Sequence, residues 1–173
     1  MLMKVFPHGT GEGDKPSRYL VRPDYPGRDT APPQVLRGDP AMTRALVDSI
    51  ERRWKFTSGV LSWHPDDKVS EEQEEEVMDA FEQVAFAGLE ADQRNILWVR
   101  HTHAGHHELH FLIPRLELSS GKDFNACPPG WQKDFDVFRD LFNWREGWAR
   151  PDDPARARDE LPKKADLFKA RMA

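Results

Sequence analysis

A cluster of histidines dominates the middle of the chain. Five of the seven histidines fall within the ten residues 101–110, together with the carboxylate of Glu108. Branched and aromatic residues flank the cluster in segments 95–100 and 111–118, and an alanine–glycine pair lies between them. Such flanks favour strands, and the small pair favours a tight turn. The sequence therefore predicts a β-hairpin whose end carries the histidines, and a hairpin of this kind requires a sheet.

Strand geometry brings three of these side chains towards one point. Glu108 and His110 are two residues apart and leave the same face of a strand, and His101 can reach that face from the opposite strand. Two imidazoles and one carboxylate suit a catalytic divalent ion better than a closed structural zinc. We therefore predict a metal site at His101, Glu108 and His110, with Mn²⁺ or Mg²⁺ as the ion because a carboxylate is a hard ligand. The alternative is a solvated hairpin end without a metal.

Composition limits the class of protein. The 173 residues are 38% hydrophobic and 32% charged, which is typical of one domain with a core. The single cysteine excludes a disulfide framework, and no apolar run is long enough to span a membrane, so a cytoplasmic protein is predicted. The net charge of −5 argues weakly against nucleic acid, but residues 1–60 hold ten Lys and Arg against seven Asp and Glu. A local positive surface is therefore allowed.

Four helices are predicted. Asp39 is placed as an N-cap before Pro40, and Ser70 begins a capping box with Gln73. The predicted buried stripe after Asp39 is Met42, Ala45, Leu46 and Ile50, and the one after Ser70 is Val77, Phe81, Val84, Ala85 and Gly88. The acidic residues of the helix after Ser70, Glu71, Glu72, Glu75 and Asp79, are expected to face water. The remaining two helices are predicted at 16–22 and across Trp131, Phe135, Phe138 and Phe142.

Strands complete the prediction. They are expected at residues 2–6, 34–38 and 54–63, and Ser58-Gly59 suggests a bulge or a close backbone approach. The helices need a sheet to pack on, so we predict an α/β (α+β) domain with a central, mostly antiparallel sheet flanked by helices. The domain is expected to cover residues 1–155, and residues 156–173 are expected to be a charged, partly helical tail or the start of a further region.

Several segments, in order over residues 3–155, carry a resemblance to a known family. They are Lys4–Gly13, Tyr19-Leu20, Val35–Gly38, Thr57–Ser62, Ile96–Val99, His101 with Glu108–Pro114, and Leu116–Lys122. Together they resemble the N-terminal nicking domain of plasmid mobilisation relaxases, in the HUH endonuclease superfamily and its His-Glu-Asn subgroup from colicin-type plasmids. His101 and Glu108 match the first two positions of that site, and His110 stands where the subgroup has Asn. His103 stands where relatives usually have Asp.

The resemblance implies an activity and its partners. Such a relaxase is a metal-dependent endonuclease that cuts one DNA strand at a plasmid transfer origin by attack of a tyrosine. It holds the strand as a 5′-phosphotyrosine and rejoins it after conjugative mobilisation. The implied partners are single-stranded DNA of the origin, accessory relaxosome proteins and a coupling protein, with no membrane.

The resemblance also implies roles for individual residues in catalysis and DNA binding. Tyr19 is the predicted nucleophile, since it lies on a short helix between Arg18 and Arg22, whose guanidinium groups suit phosphates. Tyr25, the only other tyrosine, is the alternative nucleophile, but Pro23 separates it from Tyr19, so the two cannot share one helix face. An imidazole, either His103 or His106, could remove the phenol proton, and His103 is the predicted catalytic histidine. The predicted DNA-binding residues are Arg18, Arg22, His106 and Lys122.

Two other functions fit the same residues. One is a hydrolytic metal-dependent nuclease or phosphodiesterase, which would use a metal-bound hydroxide and would leave no covalent intermediate. The other is a non-catalytic accessory protein that binds single-stranded DNA and holds only a structural ion.

Overall fold

The predicted strands and helices are present, but some of their ends differ from the prediction. The computed structural model describes residues 1–150 and residue 153. Within them, the strands are β1 (Leu2–Val5), β2 (Gln34–Arg37), β3 (Phe56–Ser62), β4 (Leu97–His101) and β5 (Glu108–Pro114). The helices are α1 (Asp14–Val21), α2 (Pro40–Asp48), α3 (Glu71–Ala85) and α4 (Gln132–Glu146), with a 3₁₀ turn at Ala91–Gln93. The predicted α+β class is confirmed, and the predicted tail at 156–173 lies outside the described residues.

The strands pair in the order β1-β3-β5-β4-β2, and every pair is antiparallel. The hairpin strand β5 is therefore central, with β3 and β4 on its two sides. The register sets His101 opposite Glu108 on one side of β5 and Val60 opposite His110 on the other. The predicted second hairpin strand was too long, because β5 ends at Pro114 and the backbone N–H of Arg115 donates to Lys55 instead.

Alternation along β5 divides the molecule into two faces. Leu109, Phe111 and Ile113 belong to the main core, which they share with residues of α3 and α4. Leu112 points the other way and packs with Leu20 of α1 and with residues of β4. Since Glu108 and His110 have the same parity as Leu112, they emerge on the α1 face of the sheet.

The predicted buried stripe of helix α2 is correct only in part: Ile50, just beyond the helix, is buried as predicted, and Leu46 is half-buried. Asp39 is the N-cap, and its carboxylate accepts hydrogen bonds from the backbone N–H groups of Ala41 and Met42. Met42 and Ala45, however, are exposed, and the buried residues of this helix are Thr43 and Val47. The prediction followed hydrophobicity, whereas Thr43 is accommodated inside by its hydroxyl bond of 2.8 Å to Asn95.

Helix α3 begins with the predicted capping box between Ser70 and Gln73. The acidic side chains expected in water are exposed, and these are Glu71, Glu72, Glu75 and Asp79. The prediction was wrong for Gly88, which lies beyond the helix and is exposed. It also overlooked Glu74, which is buried against the Arg100 guanidinium at 2.8 Å and His107 Nε2 at 2.6 Å.

Gly59 shows the predicted close approach without a bulge, since β3 pairs in continuous register with both neighbours. A Cβ atom built on Gly59 would lie 2.4 Å from the Lys4 carbonyl oxygen and 2.4 Å from the Phe111 ring. The Phe111 ring therefore lies against a stretch of bare backbone.

Gly59→Ala should lower the free energy of unfolding by about 2 kcal/mol, because β1 or the buried Phe111 ring must shift to admit the methyl group. Urea denaturation measures this loss. Gly11→Ala is the matched control, since a Cβ at Gly11 meets nothing within 4 Å. Equal stability of the two variants would contradict the close approach.

None of the helices in the described residues is both long and apolar enough to cross a membrane.

Candidate metal centre and active site

The structure brings His101, Glu108 and His110 together. Each offers one ligand atom, and the three atoms lie within 4.8 Å of one another. His101 and His110 are only 1% and 7% exposed, whereas Glu108 is half-buried. The cluster results from the register of β4 and β5, which sets His101 opposite Glu108 while strand parity aligns Glu108 with His110.

Hydrogen bonds hold the His101 ring. Its Nε2 lies 2.7 Å from the Leu20 carbonyl oxygen, which can only accept, so Nε2 carries the proton and Nδ1 keeps a lone pair. Burial, reinforced by the nearby charges of His110 and Arg28, lowers the pKa of His101 to about 4, although the bond to Leu20 opposes this shift. The imidazole is therefore neutral at pH 7, which is the form that binds a metal.

Glu108 is held as a carboxylate. Its two oxygens lie 3.1 Å from His110 Nε2 and 2.9 Å from His106 Nε2. Burial raises the pKa of Glu108, but hydrogen bonding and charge from His110 and His106 outweigh it and lower that pKa to about 2. One anionic oxygen ligand beside two imidazoles fits a divalent ion such as Mn²⁺ or Mg²⁺. The predicted DNA contact His106 lies against this carboxylate.

Both tyrosines reach the cluster. Tyr19 lies on α1 and is 42% exposed, and its ring meets His101 edge-on with centroids 6.3 Å apart. Tyr25 lies beyond the end of α1, yet its ring is 5.7 Å from that of Tyr19. The predicted base His103 packs on Tyr25 at 5.5 Å and on His101 at 5.4 Å. The aromatic and imidazole rings thus form one continuous group beside the candidate ligands.

The predicted DNA-binding arginines are already paired. Arg18 lies 3.1 Å from Asp14, and Arg22 lies 3.7 Å from Asp24. Lys122 belongs to the loop after β5, beyond Pro114, and so lies at the other end of that strand from Glu108. The structure therefore places Arg18 and Arg22 near the candidate nucleophile but separates Lys122 from the metal cluster.

Arg28 is a site residue that the sequence prediction missed. Its guanidinium group is fully buried and donates to the carbonyl oxygens of Tyr19 at 2.6 Å and Arg22 at 3.0 Å. It also lies 3.3 Å from His101 Nδ1 and over the rings of both tyrosines. No local pattern marks Arg28, because its burial results from contacts with α1 and β4. A cation at this place holds the carboxyl end of α1, where carbonyl groups lack helical partners.

Arg28→Met should lower the free energy of unfolding by about 3 kcal/mol, because two carbonyl groups would lose their donor. Urea denaturation in the presence of EDTA measures the loss without a contribution from bound metal. Arg18→Met, which removes an exposed i,i+4 ion pair, should cost less than about 1 kcal/mol. If the two variants lose the same stability, Arg28 does not hold α1.

Comparisons with known proteins identify the family of the chain. Residues 40–143 match the family model described as "Relaxase: MobA/VirD2-like, nuclease domain". The chain is 39% identical over 170 residues to "Cryptic plasmid protein C" of Neisseria gonorrhoeae, covering 96% of this chain and 80% of that protein. It is 34% identical over 168 residues to "DNA relaxase MbeA" of Escherichia coli, covering 94% of this chain and 32% of MbeA. The family match spans more than half of the chain and includes all three candidate metal ligands, so the chain belongs to the MobA/VirD2-like relaxase family.

Proposed function

We propose that this relaxase domain nicks one strand of plasmid DNA at a transfer origin by transesterification, with Tyr19 as the nucleophile. The observation that carries the proposal is the position of Tyr19, an accessible phenol whose ring contacts His101 of the three-ligand cluster. Tyr19 lies before the residues matched by the family model, so its role rests on geometry. An oriented nucleophile beside a site for a Lewis acid is what strand transfer requires.

The reaction exchanges one phosphoester for another. The Tyr19 Oη atom forms a bond to phosphorus, the bond from phosphorus to the 3′ oxygen breaks, and the 3′ oxygen leaves with a proton as a hydroxyl group. The 5′ phosphate stays on the tyrosine, so the reverse step can rejoin the strand. A divalent ion held by His101, Glu108 and His110 would supply a Lewis acid for the phosphate.

His103 is the group that we propose takes the phenol proton. Its Nδ1 atom is buried and has no hydrogen-bond partner in the described part of the chain. Burial and the nearby charge of Arg28 lower the pKa of His103, which favours the neutral imidazole needed in a base. The ring packs on Tyr25, whose own ring contacts Tyr19, so the base and the nucleophile belong to the same ring cluster.

The proposed partners follow from the activity. Single-stranded DNA of the origin is the substrate, and accessory relaxosome proteins and a coupling protein would act with the domain on the plasmid. The chain spans about a third of the length of MbeA, so the proposal concerns the nicking step alone.

Incubation with single-stranded oligonucleotides tests the proposal. The oligonucleotides should tile both strands of the origin of the plasmid that carries the gene, in the presence of Mn²⁺, and a denaturing gel should resolve the products. We expect a slow protein–DNA band that EDTA abolishes. Cleavage without that band would indicate a hydrolytic nuclease. Binding without cleavage, together with unfolding in EDTA, would indicate an accessory protein with a structural ion.

A further inference from the structure

The end of the sheet away from the metal cluster carries a basic–aromatic patch, formed by Arg52, Arg53, Trp54, Lys55 and Lys122. The Arg53 guanidinium lies 4.7 Å from the centre of the Trp54 ring. The Arg52 guanidinium donates to the carbonyl oxygens of Gly121 at 3.1 Å and Arg115 at 2.9 Å. These bonds hold the loop that carries Lys122 against the segment that precedes β3.

Trp54 differs from the tryptophans of the core. It is 39% exposed, whereas Trp63 and Trp98 are 2% and 0% exposed. The Arg53 guanidinium lies over the Trp54 ring, and the His8 ring meets it edge-on at 6.1 Å. A large ring left open to water beside a guanidinium group is suited to stacking with a nucleic-acid base.

Within residues 1–150 and 153, no ion pair neutralises the cations of this patch. Among the described residues, neither Arg52 nor Arg53 has a carboxylate partner, although most other arginines do. Of the neighbouring acids, Asp123 is neutralised by Arg115 through two hydrogen bonds. Glu51 and Glu117 keep their charges, since Glu51 is exposed and Glu117 accepts hydrogen bonds only from the neutral groups of Ser119 and Ser120. Two charged carboxylates therefore lie near four cations. The surface therefore keeps a positive excess that phosphates can satisfy.

We propose that the basic–aromatic patch binds single-stranded DNA, with one base stacked on Trp54 and the adjacent phosphates contacted by Arg52, Arg53, Lys55 and Lys122. Val60 lies opposite His110, and Trp54 precedes Val60 by six residues. The patch is therefore roughly 20 Å from the metal cluster along the strand direction. That span corresponds to about six nucleotides at the ~3.4 Å rise of a stacked strand.

This second contact would bind the DNA strand at a point distant from the reacting phosphate. It rests on single-stranded DNA as the substrate and not on the assignment of Tyr19 as the nucleophile. The two ideas can therefore fail separately: binding to the patch is measured without cleavage, and adduct formation is measured by the tyrosine variants.

Trp144 provides a matched control. It is 81% exposed on α4, but the neighbouring Arg145 is paired with Glu76 and Glu146. The cation next to this exposed indole is thus already paired, so Trp144→Ala tests for a general effect of losing a surface tryptophan.

Fluorescence anisotropy with labelled (dT)30, in EDTA to prevent cleavage, tests the proposal on the full chain. Trp54→Ala should weaken binding about 10-fold, within the range reported for loss of one stacked base, while Trp54→Phe should keep most of the affinity. The double variant Arg53→Ala, Lys55→Ala should reduce the salt slope by about 1.4, from two lost phosphate contacts on a single strand. Trp144→Ala should change affinity less than twofold, and circular dichroism of each variant should match the parent.

Two results would overturn the proposal. The first is an affinity of Trp54→Ala for (dT)30 equal to that of Trp144→Ala. The second is an affinity for a duplex oligonucleotide that falls in the Arg53→Ala, Lys55→Ala variant while the affinity for (dT)30 does not. The patch would then contact double-stranded DNA. If Trp54→Ala does not fold, the double variant still decides the matter, because an unchanged salt slope would exclude phosphate contacts at the patch.

Discussion

Tyr19→Phe should abolish the covalent protein–DNA adduct, with a rate loss on the order of 10⁵-fold or more, the scale on which a covalent nucleophile acts. The phenyl ring keeps the packing against His101 and Arg28, but no oxygen is left to form the bond to phosphorus. Single-turnover assays on a denaturing gel, with the strand labelled on the 5′-phosphate side of the cut, measure the rate. DNA affinity in EDTA should be unchanged, which separates chemistry from binding.

Tyr25→Phe is the matched control for that experiment. Tyr25 has the same ring type, contacts Tyr19 and lies over the same guanidinium group. We expect Tyr25→Phe to keep adduct formation within about 10-fold of the parent, as for a residue that helps only to position its neighbour. An adduct that persists in Tyr19→Phe and disappears in Tyr25→Phe would assign the nucleophile to Tyr25.

Glu108→Ala should weaken Mn²⁺ binding by about 100-fold or more, since loss of groups that merely orient a ligand already costs 10–100-fold. Glu108 is the anionic member of the cluster, and its carboxylate is aligned by His106 and His110. Removing it leaves two imidazoles, which bind hard ions weakly. Calorimetric titration at pH 7.5 measures the affinity, and the nicking rate at saturating DNA should fall with it.

Glu72→Ala controls for the loss of one negative charge, because Glu72 is exposed on α3 and is not part of the cluster. It should leave the Mn²⁺ affinity unchanged. A Glu108→Ala protein with the affinity of the parent would remove Glu108 from the ligand set. In that case His101 and His110 would need a different third ligand.

The hairpin prediction succeeded because it needed only local rules. Alternation of side chains placed Glu108 and His110 on one face, and the turn returned the chain beside His101. The structure adds the register, in which His101 lies directly opposite Glu108. It also adds the burial that keeps the His101 imidazole neutral, and no pattern within the hairpin encodes that burial.

The buried residues of α2 and the burial of Arg28 are two features that local sequence patterns do not predict. Met42 is more hydrophobic than Thr43, yet Met42 faces water, because the angle at which α2 meets the sheet is set by packing of the whole layer. Arg28 lies in a proline-rich segment without periodicity, and it becomes buried because the segment folds back over α1 and β4. Contacts between residues far apart in sequence determine both outcomes.

Local sequence patterns were enough to predict the strands, the capped helices, and the two imidazoles and one carboxylate of the hairpin that can share an ion. Those features depend on the spacing of a few residues, because strand and helix geometry sets the direction of each side chain from its position in the chain. Three features came from tertiary packing alone: both tyrosines reach the candidate ion site, Arg28 lies against their rings, and Trp54 stays at the surface beside Arg53. These depend on how distant segments pack, and packing is a property of the whole chain rather than of any stretch within it.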